Sequence, residues 1–134
     1  MSSRRSTGRS GMTDLFATIR SVAVPVTDQD RTKSLLEALG FTTSMDTELQ
    51  PGFRWVELTP PGGGTTLALV TTGDQLPTGI DTGIRLVTGD ARAAHAAVSA
   101  KGLDVGELLD WEGVPLMFSF VDPDGNRFYV SEDG

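Results

Sequence analysis

Few residues in this chain are able to do covalent chemistry. It has 134 residues and no cysteine, which excludes disulfides, thiolate nucleophiles, Fe–S clusters and zinc–thiolate sites. The single histidine, His95, lies inside the alanine-rich stretch Ala91–Ala100 and is expected on the exposed face of a helix. Neither Ser21 nor Ser119 has a histidine partner, so no nucleophile is marked. Gly62-Gly63-Gly64 lacks the Lys-Ser/Thr and the helix that follow in a phosphate loop, and reads as a tight hairpin. Asp122 and Asp124 stand in the run Asp122-Pro-Asp-Gly-Asn126. Carboxylates there bond nearby backbone N–H groups, so they read as turn residues rather than calcium ligands. What remains is the chemistry of recognition: aromatic area from Trp55, Trp111 and Tyr129, and charge from Glu57, Arg85 and Arg127.

Composition sets the scale of what can hold these groups. The chain is 38% apolar, with 6 Phe and 2 Trp, enough for one core and too little length for two. Residues 1–14 are expected to form a disordered leader and residues 15–134 a single domain. Met1 to Gly11 is polar, small or basic and has no apolar stretch of a secretory signal, so a cytoplasmic protein is expected, starting at Met1 or Met12. No run approaches the roughly 18 apolar residues of a membrane span. Arg4, Arg5, Arg9 and Arg20 make the beginning basic, yet the whole chain carries a net charge of −7. An acidic body repels phosphate backbones and anionic lipid, which argues against nucleic acid and membrane as partners and suits neutral or cationic ligands.

The elements that must position the recognition residues come from an internal repeat. Asp28 and Asp90 each open a polar, helix-like stretch, Gly40 and Gly102 close them, and Pro61 with Pro123 and Gly63 with Gly125 keep the same spacing. Apolar positions follow it too: Val22 with Ile84, Val24 with Leu86, Leu36 with Val98, Val56 with Phe118 and Leu58 with Phe120. On this reading no gap is needed between about residues 19 and 132. Each module, about 16–71 and 80–132, reads β-α-β-β-β. The first has strands near 19–26, 41–48, 52–59 and 65–71; the second has strands near 81–88, 103–110, 115–121 and 127–132. Thr27 with Asp30 resembles a helix start, Leu35, Leu36 and Leu39 form one apolar stripe, and the second helix spans 90–101. Residues 72–80 read as the linker.

Paired βαβββ modules resemble the vicinal oxygen chelate superfamily, which includes glyoxalases, bleomycin-resistance proteins and extradiol dioxygenases. The residues that carry the resemblance are Val24-Pro-Val-Thr-Asp-Gln-Asp-Arg31, Leu39-Gly40-Phe41, Arg54-Trp55-Val56-Glu57 and Phe118-Ser-Phe-Val-Asp-Pro-Asp-Gly-Asn126. The resemblance implies an α+β fold in which the modules form a curved mixed sheet around a cleft, with the helices outside, and it implies a homodimer. Strand alternation then assigns faces. Val22, Val24, Ala68, Val70, Ile84, Leu86, Phe128 and Val130 should face the helices, with Val56, Leu58, Phe118 and Phe120. Ser21, Ala23, Trp55, Glu57, Leu67, Leu69, Arg85, Met117, Ser119, Arg127, Tyr129 and Ser131 should face the cleft.

Metal-dependent members place one His, Gln or Glu on the first and last strand of each module. The matching positions here are Ser21, Leu67, Gly83 and Tyr129, a set without a metal site. No metal and no cofactor is therefore expected. The expected ligand-binding set is Trp55, Glu57, Leu67, Arg85, Trp111, Met117, Ser119, Arg127 and Tyr129, an apolar and aromatic surface with sparse polar handles. Trp111, beside Asp110 and Glu112, would form a rim for a cationic or planar ligand. Glu57 has two readings: an ion pair with Arg85, or a general base if burial raises its pKa. Arg85 is also able to clamp a ligand carboxylate. The leading expectation is a non-catalytic binder of a small aromatic or amphipathic molecule that sequesters or carries it. The alternatives are a lyase, isomerase or dioxygenase of the superfamily working through Glu57 and Tyr129 or an atypical metal site, and an interaction domain with a vestigial cleft.

Overall fold

The computed structural model describes residues 15–71 and 77–133. The expected leader at 1–14 and most of the expected linker lie outside the described residues. The first module runs β1 (Ser21–Pro25), α1 (Gln29–Ala38), β2 (Thr42–Gln50), β3 (Phe53–Thr59) and β4 (Thr66–Val70). The second runs β5 (Asp81–Thr88), α2 (Ala91–Ala100), β6 (Asp104–Val105), β7 (Met117–Val121) and β8 (Arg127–Glu132). The mixed sheet is realised as two four-stranded sheets of equivalent order, β1-β4-β3-β2 and β5-β8-β7-β6. In each, the first and last strands pair in parallel and the others antiparallel.

Local chemistry explains the helix limits. The Asp28 carboxylate accepts the backbone N–H of Arg31, and that of Asp90 accepts the N–H of Ala93, so each aspartate satisfies an orphan donor at a helix start. Asp28, rather than Thr27, is the cap of α1. Gly40 and Gly102 follow the helices at φ 105° and 78°, a left-handed backbone that other residues adopt only with strain. Each helix covers one face of its sheet. Leu36 packs with Val24, Val56, Leu58, Leu67 and Leu69, and Val98 with Phe118, Phe120, Phe128 and Val130, all buried. Gln29 adds a polar tie: its buried amide donates to the carbonyls of Leu69 and Arg54.

The uninterrupted repeat register fails at β4. Leu69 lies opposite Val56 and Val24, and Leu67 opposite Leu58 and Val22, so both leucines face α1. In the second module Val130 lies opposite Phe118 and Phe128 opposite Phe120. The segment between Leu58 and Leu67 is thus one residue longer than that between Phe120 and Phe128, and the extra residue sits in the Pro60–Gly64 turn. A one-residue shift exchanges the two faces of a strand. Leu67 and Leu69 are core residues at 4% and 0% exposure, and Ala68, expected toward the helices, shares the opposite face with Glu57 and Ala23. Burying each leucine is worth about 1.5–3 kcal/mol, so the leucines, not the turn, set the register.

The expected strand at 103–110 is also broken. Only Asp104–Val105 pairs regularly with β7, and contact resumes at an isolated Leu109–Met117 bridge. Between them Gly106 crosses tightly over Ser119; a side chain on Gly106 would meet the Ser119 Oγ at 3.1 Å. This stretch holds one residue more than β7 opposite it and bulges.

The Asp122–Asn126 turn joins the modules. The fully buried Asn126 amide donates to the Pro25 carbonyl and the Asp122 carboxylate, and its oxygen accepts the N–H groups of Gly79 and Ile80. Asp124 accepts from Thr27 and from the Arg31 guanidinium at 3.1 Å.

Candidate functional site

Alternation along β3 sends Val56 and Leu58 into the core and Trp55 and Glu57 to the other face. Glu57 is only 3% exposed, and a carboxylate so placed requires donors. Trp55 Nε1 donates to Oε2 at 2.6 Å and Thr66 Oγ1 to Oε1 at 2.8 Å. Arg20 approaches Oε2 at 3.5 Å from outside, its side chain 70% exposed. The Trp55 indole N–H holds the Glu57 carboxyl below its ordinary value against the opposing effect of burial, and Thr66 and Arg20 act in the same direction as Trp55. Glu57 is therefore a fixed anion, and the raised pKa of a general base is not found. Nor is the expected pair with Arg85 formed, because the arginine that reaches Glu57 is Arg20.

This carboxylate forms part of the wall of a cavity of about 520 Å³. The segment before β1 supplies Thr18, Ile19 and Arg20, β2 supplies Ser44 and Met45, and the β3–β4 hairpin supplies Thr59, Gly64, Thr65 and Thr66. Of the nine residues expected to bind ligand, only Glu57 lines it; Trp55 bonds Glu57 without lining the cavity. Thr66 was missed because the extra turn residue was not legible. Arg20 carried no signal beyond its membership in a basic run.

The open face of the second sheet gathers a different group. Arg85 lies opposite Tyr129 in the ladder, with its guanidinium 4.1 Å above the ring, and it also donates to the Gly83 carbonyl. Tyr129 donates its phenol to Asp81. That bond holds the Asp81 carboxyl below its usual value, helped by the Gly83 N–H, and pushes the Tyr129 phenol up. Arg127 donates to Ser119 Oγ at 2.9 Å, and Ser119 lies opposite Tyr129. Met117, opposite Ser131, completes this face. Trp111 is 59% exposed, and among the described residues it lines no part of the cavity.

His95 is half-buried rather than exposed. Its ring meets Phe118 edge-on at 4.9 Å, and Nε2 lies 2.9 Å from the Gly106 carbonyl. The cause is helical spacing, since Ala91, His95 and Val98 share the stripe of α2 that faces the sheet.

A profile of the Glyoxalase/Bleomycin resistance protein/Dioxygenase superfamily matches residues 18–130. The chain belongs to this superfamily. Among solved structures, a member of this superfamily from Sphaerobacter thermophilus DSM 20745 is similar at a TM-score of 0.81 and 30% identity, over 89% of this chain and 99% of that one. TnmS3, an antibiotic binding protein from Streptomyces sp. CB03234, is similar at 0.77 and 28%, over 89% and 98%. A glyoxalase/bleomycin resistance protein from Streptomyces sp. CB03234 is similar at 0.72 and 30%, over 85% and 99%. No curated protein matches the sequence significantly.

The metal of the superfamily's metal-dependent members finds no fitting donor set here. Ser21 is a weak ligand, Gly83 has no side chain, and Tyr129 is a phenol engaged with Asp81. Leu67 is buried in the core, and Ala68 takes the place structurally equivalent to Tyr129. Among the described residues, no three His, Cys, Asp or Glu side chains converge to hold an ion. No helix among them is long and apolar enough to cross a membrane.

Proposed function

We propose that this superfamily member binds a small aromatic or amphipathic molecule and sequesters or carries it, without metal and without turnover. The observation that carries this reading is the cavity beside Glu57, whose carboxylate is fixed in advance by Trp55 and Thr66. Preorganised polar groups in a concave site are the ordinary apparatus of small-molecule recognition. The similarity to an antibiotic binding protein supports a ligand of that size. The directions of ionisation favour binding over acid–base chemistry, since the Glu57 carboxyl is held down and the Tyr129 phenol pushed up. The open face with Arg85, Met117, Ser119, Arg127 and Tyr129 would extend the contact surface, and a homodimer would bring a second copy of each face into play.

The test is a thermal-shift screen of planar aromatic compounds, read in parallel by Trp55 fluorescence in a Trp111→Phe variant. A binding compound at a hundredfold excess over its Kd should stabilise the fold by about 2.7 kcal/mol. Prior dialysis against a chelator should leave that shift unchanged; its loss would move the reading to metal-assisted chemistry. Light scattering should return twice the mass of the chain, and the mass of one chain would remove the dimer.

A further inference from the structure

Among the described residues the cavity is lined by one anion and one cation, and they are held unequally. Glu57 is buried and receives short bonds from Trp55 and Thr66. Arg20 reaches the same carboxylate at 3.5 Å, the longest of the three contacts, from a side chain that is 70% exposed. A carboxylate has about four acceptor positions, so two firm donors leave room for more. Arg20 also differs in origin. It belongs to the segment ahead of β1, where its carbonyl accepts the Thr66 N–H at 2.9 Å, so its backbone is tied to β4 and the looseness lies in the exposed side chain. A group so loosely seated on a buried anion is displaceable, whereas the anion is not.

We propose that the cavity selects ligands bearing a protonated amine, whose N–H groups bond Glu57 in place of Arg20, so that Arg20 is a tethered competitor for its own site. This rests on the binding reading above and adds the chemical class of the ligand. The arrangement avoids stranding a buried charge in the empty protein, because Arg20 accompanies Glu57 until a better-placed donor arrives. When the guanidinium swings out, Glu57 is the charged group left on the wall among the described residues. The net charge of −7 favours the approach of a cation.

The experiment uses two isosteric probes, 1-naphthylmethylammonium and the neutral 1-naphthylmethanol, with Trp55 fluorescence of the full chain as readout and circular dichroism as a check on folding. In the Trp111→Phe background the amine should bind about tenfold more tightly than the alcohol. Arg20→Ala should strengthen the amine about three- to tenfold and leave the alcohol unchanged, because a competitor has gone. Glu57→Gln should bring the two probes within about twofold of each other. Equal affinities before either substitution, or an amine weakened by Arg20→Ala, would overturn the proposal while leaving alcohol binding, and hence the binding reading, intact. Failure of both probes to bind would overturn the binding reading itself. Should Glu57→Gln not fold, the amine-to-alcohol ratio and its response to Arg20→Ala decide alone.

Discussion

Glu57 shows how a single residue's environment decides between two chemistries that its type allows. Position in an alternating strand was enough to send it away from the core, but not to say who else would meet it there. Trp55, two residues away on the same strand, follows from alternation, whereas Thr66 and Arg20, 9 and 37 residues away, depend on tertiary register. The ionised form is favoured in the fold, so the folded pKa lies below the ordinary 4.5. The unfolded chain then binds more protons in acid. The resulting stabilisation is fully present above about pH 4.5 and fades as pH falls through the folded value. Glu57→Gln should therefore cost about 1–3 kcal/mol near neutrality, with the gap to the parent narrowing as pH falls below about 4.5. Thermal melts of both proteins across that range would show it; a gap independent of pH would mean that charge at Glu57 contributes nothing.

At the scale of elements, most of the fold was legible. The expected α2 matches Ala91–Ala100 to within a residue at each end, and the expected strands are present, that at 103–110 only as Asp104–Val105. What failed was parity, the property most sensitive to a single residue. Pro60–Gly64 and Asp122–Asn126 look interchangeable because both are turns of Pro and Gly, and turn chemistry does not count residues. Once one is longer, period-two reasoning inverts every side chain of β4. The shortened β6 has a similar origin in one extra residue before Leu109. The inverted assignment makes a sharp prediction for Leu67: as a core residue, Leu67→Ala should cost about 2–5 kcal/mol, whereas a cleft residue would cost far less. Urea denaturation separates the two outcomes.

At the scale of the whole molecule, the Asp122–Asn126 turn ties one module to the other. Asn126 bonds β1, the entry to β5 and its own turn, and Asp124 beside it accepts from Thr27 and Arg31. Asn126→Ala leaves several buried groups without partners and should cost at least about 2 kcal/mol. Because these bonds cross between modules, the urea transition should also broaden, with a lower m-value, as the halves cease to unfold together. A single sharp transition with an unchanged slope would assign the coupling elsewhere. The one-residue extension in the first glycine turn has a further consequence here, one of symmetry. A tandem fold begins with two faces related by a pseudo-twofold axis, and a strictly equivalent pair would present any visitor with the same surface twice. With the true register, Trp55 corresponds to Met117, Glu57 to Ser119, Thr66 to Arg127, Ala68 to Tyr129 and Ala23 to Arg85. One half presents Glu57 with Arg20 and the other Arg85 and Arg127 with Asp81, so the two faces differ in chemistry and an asymmetric guest has one preferred way round.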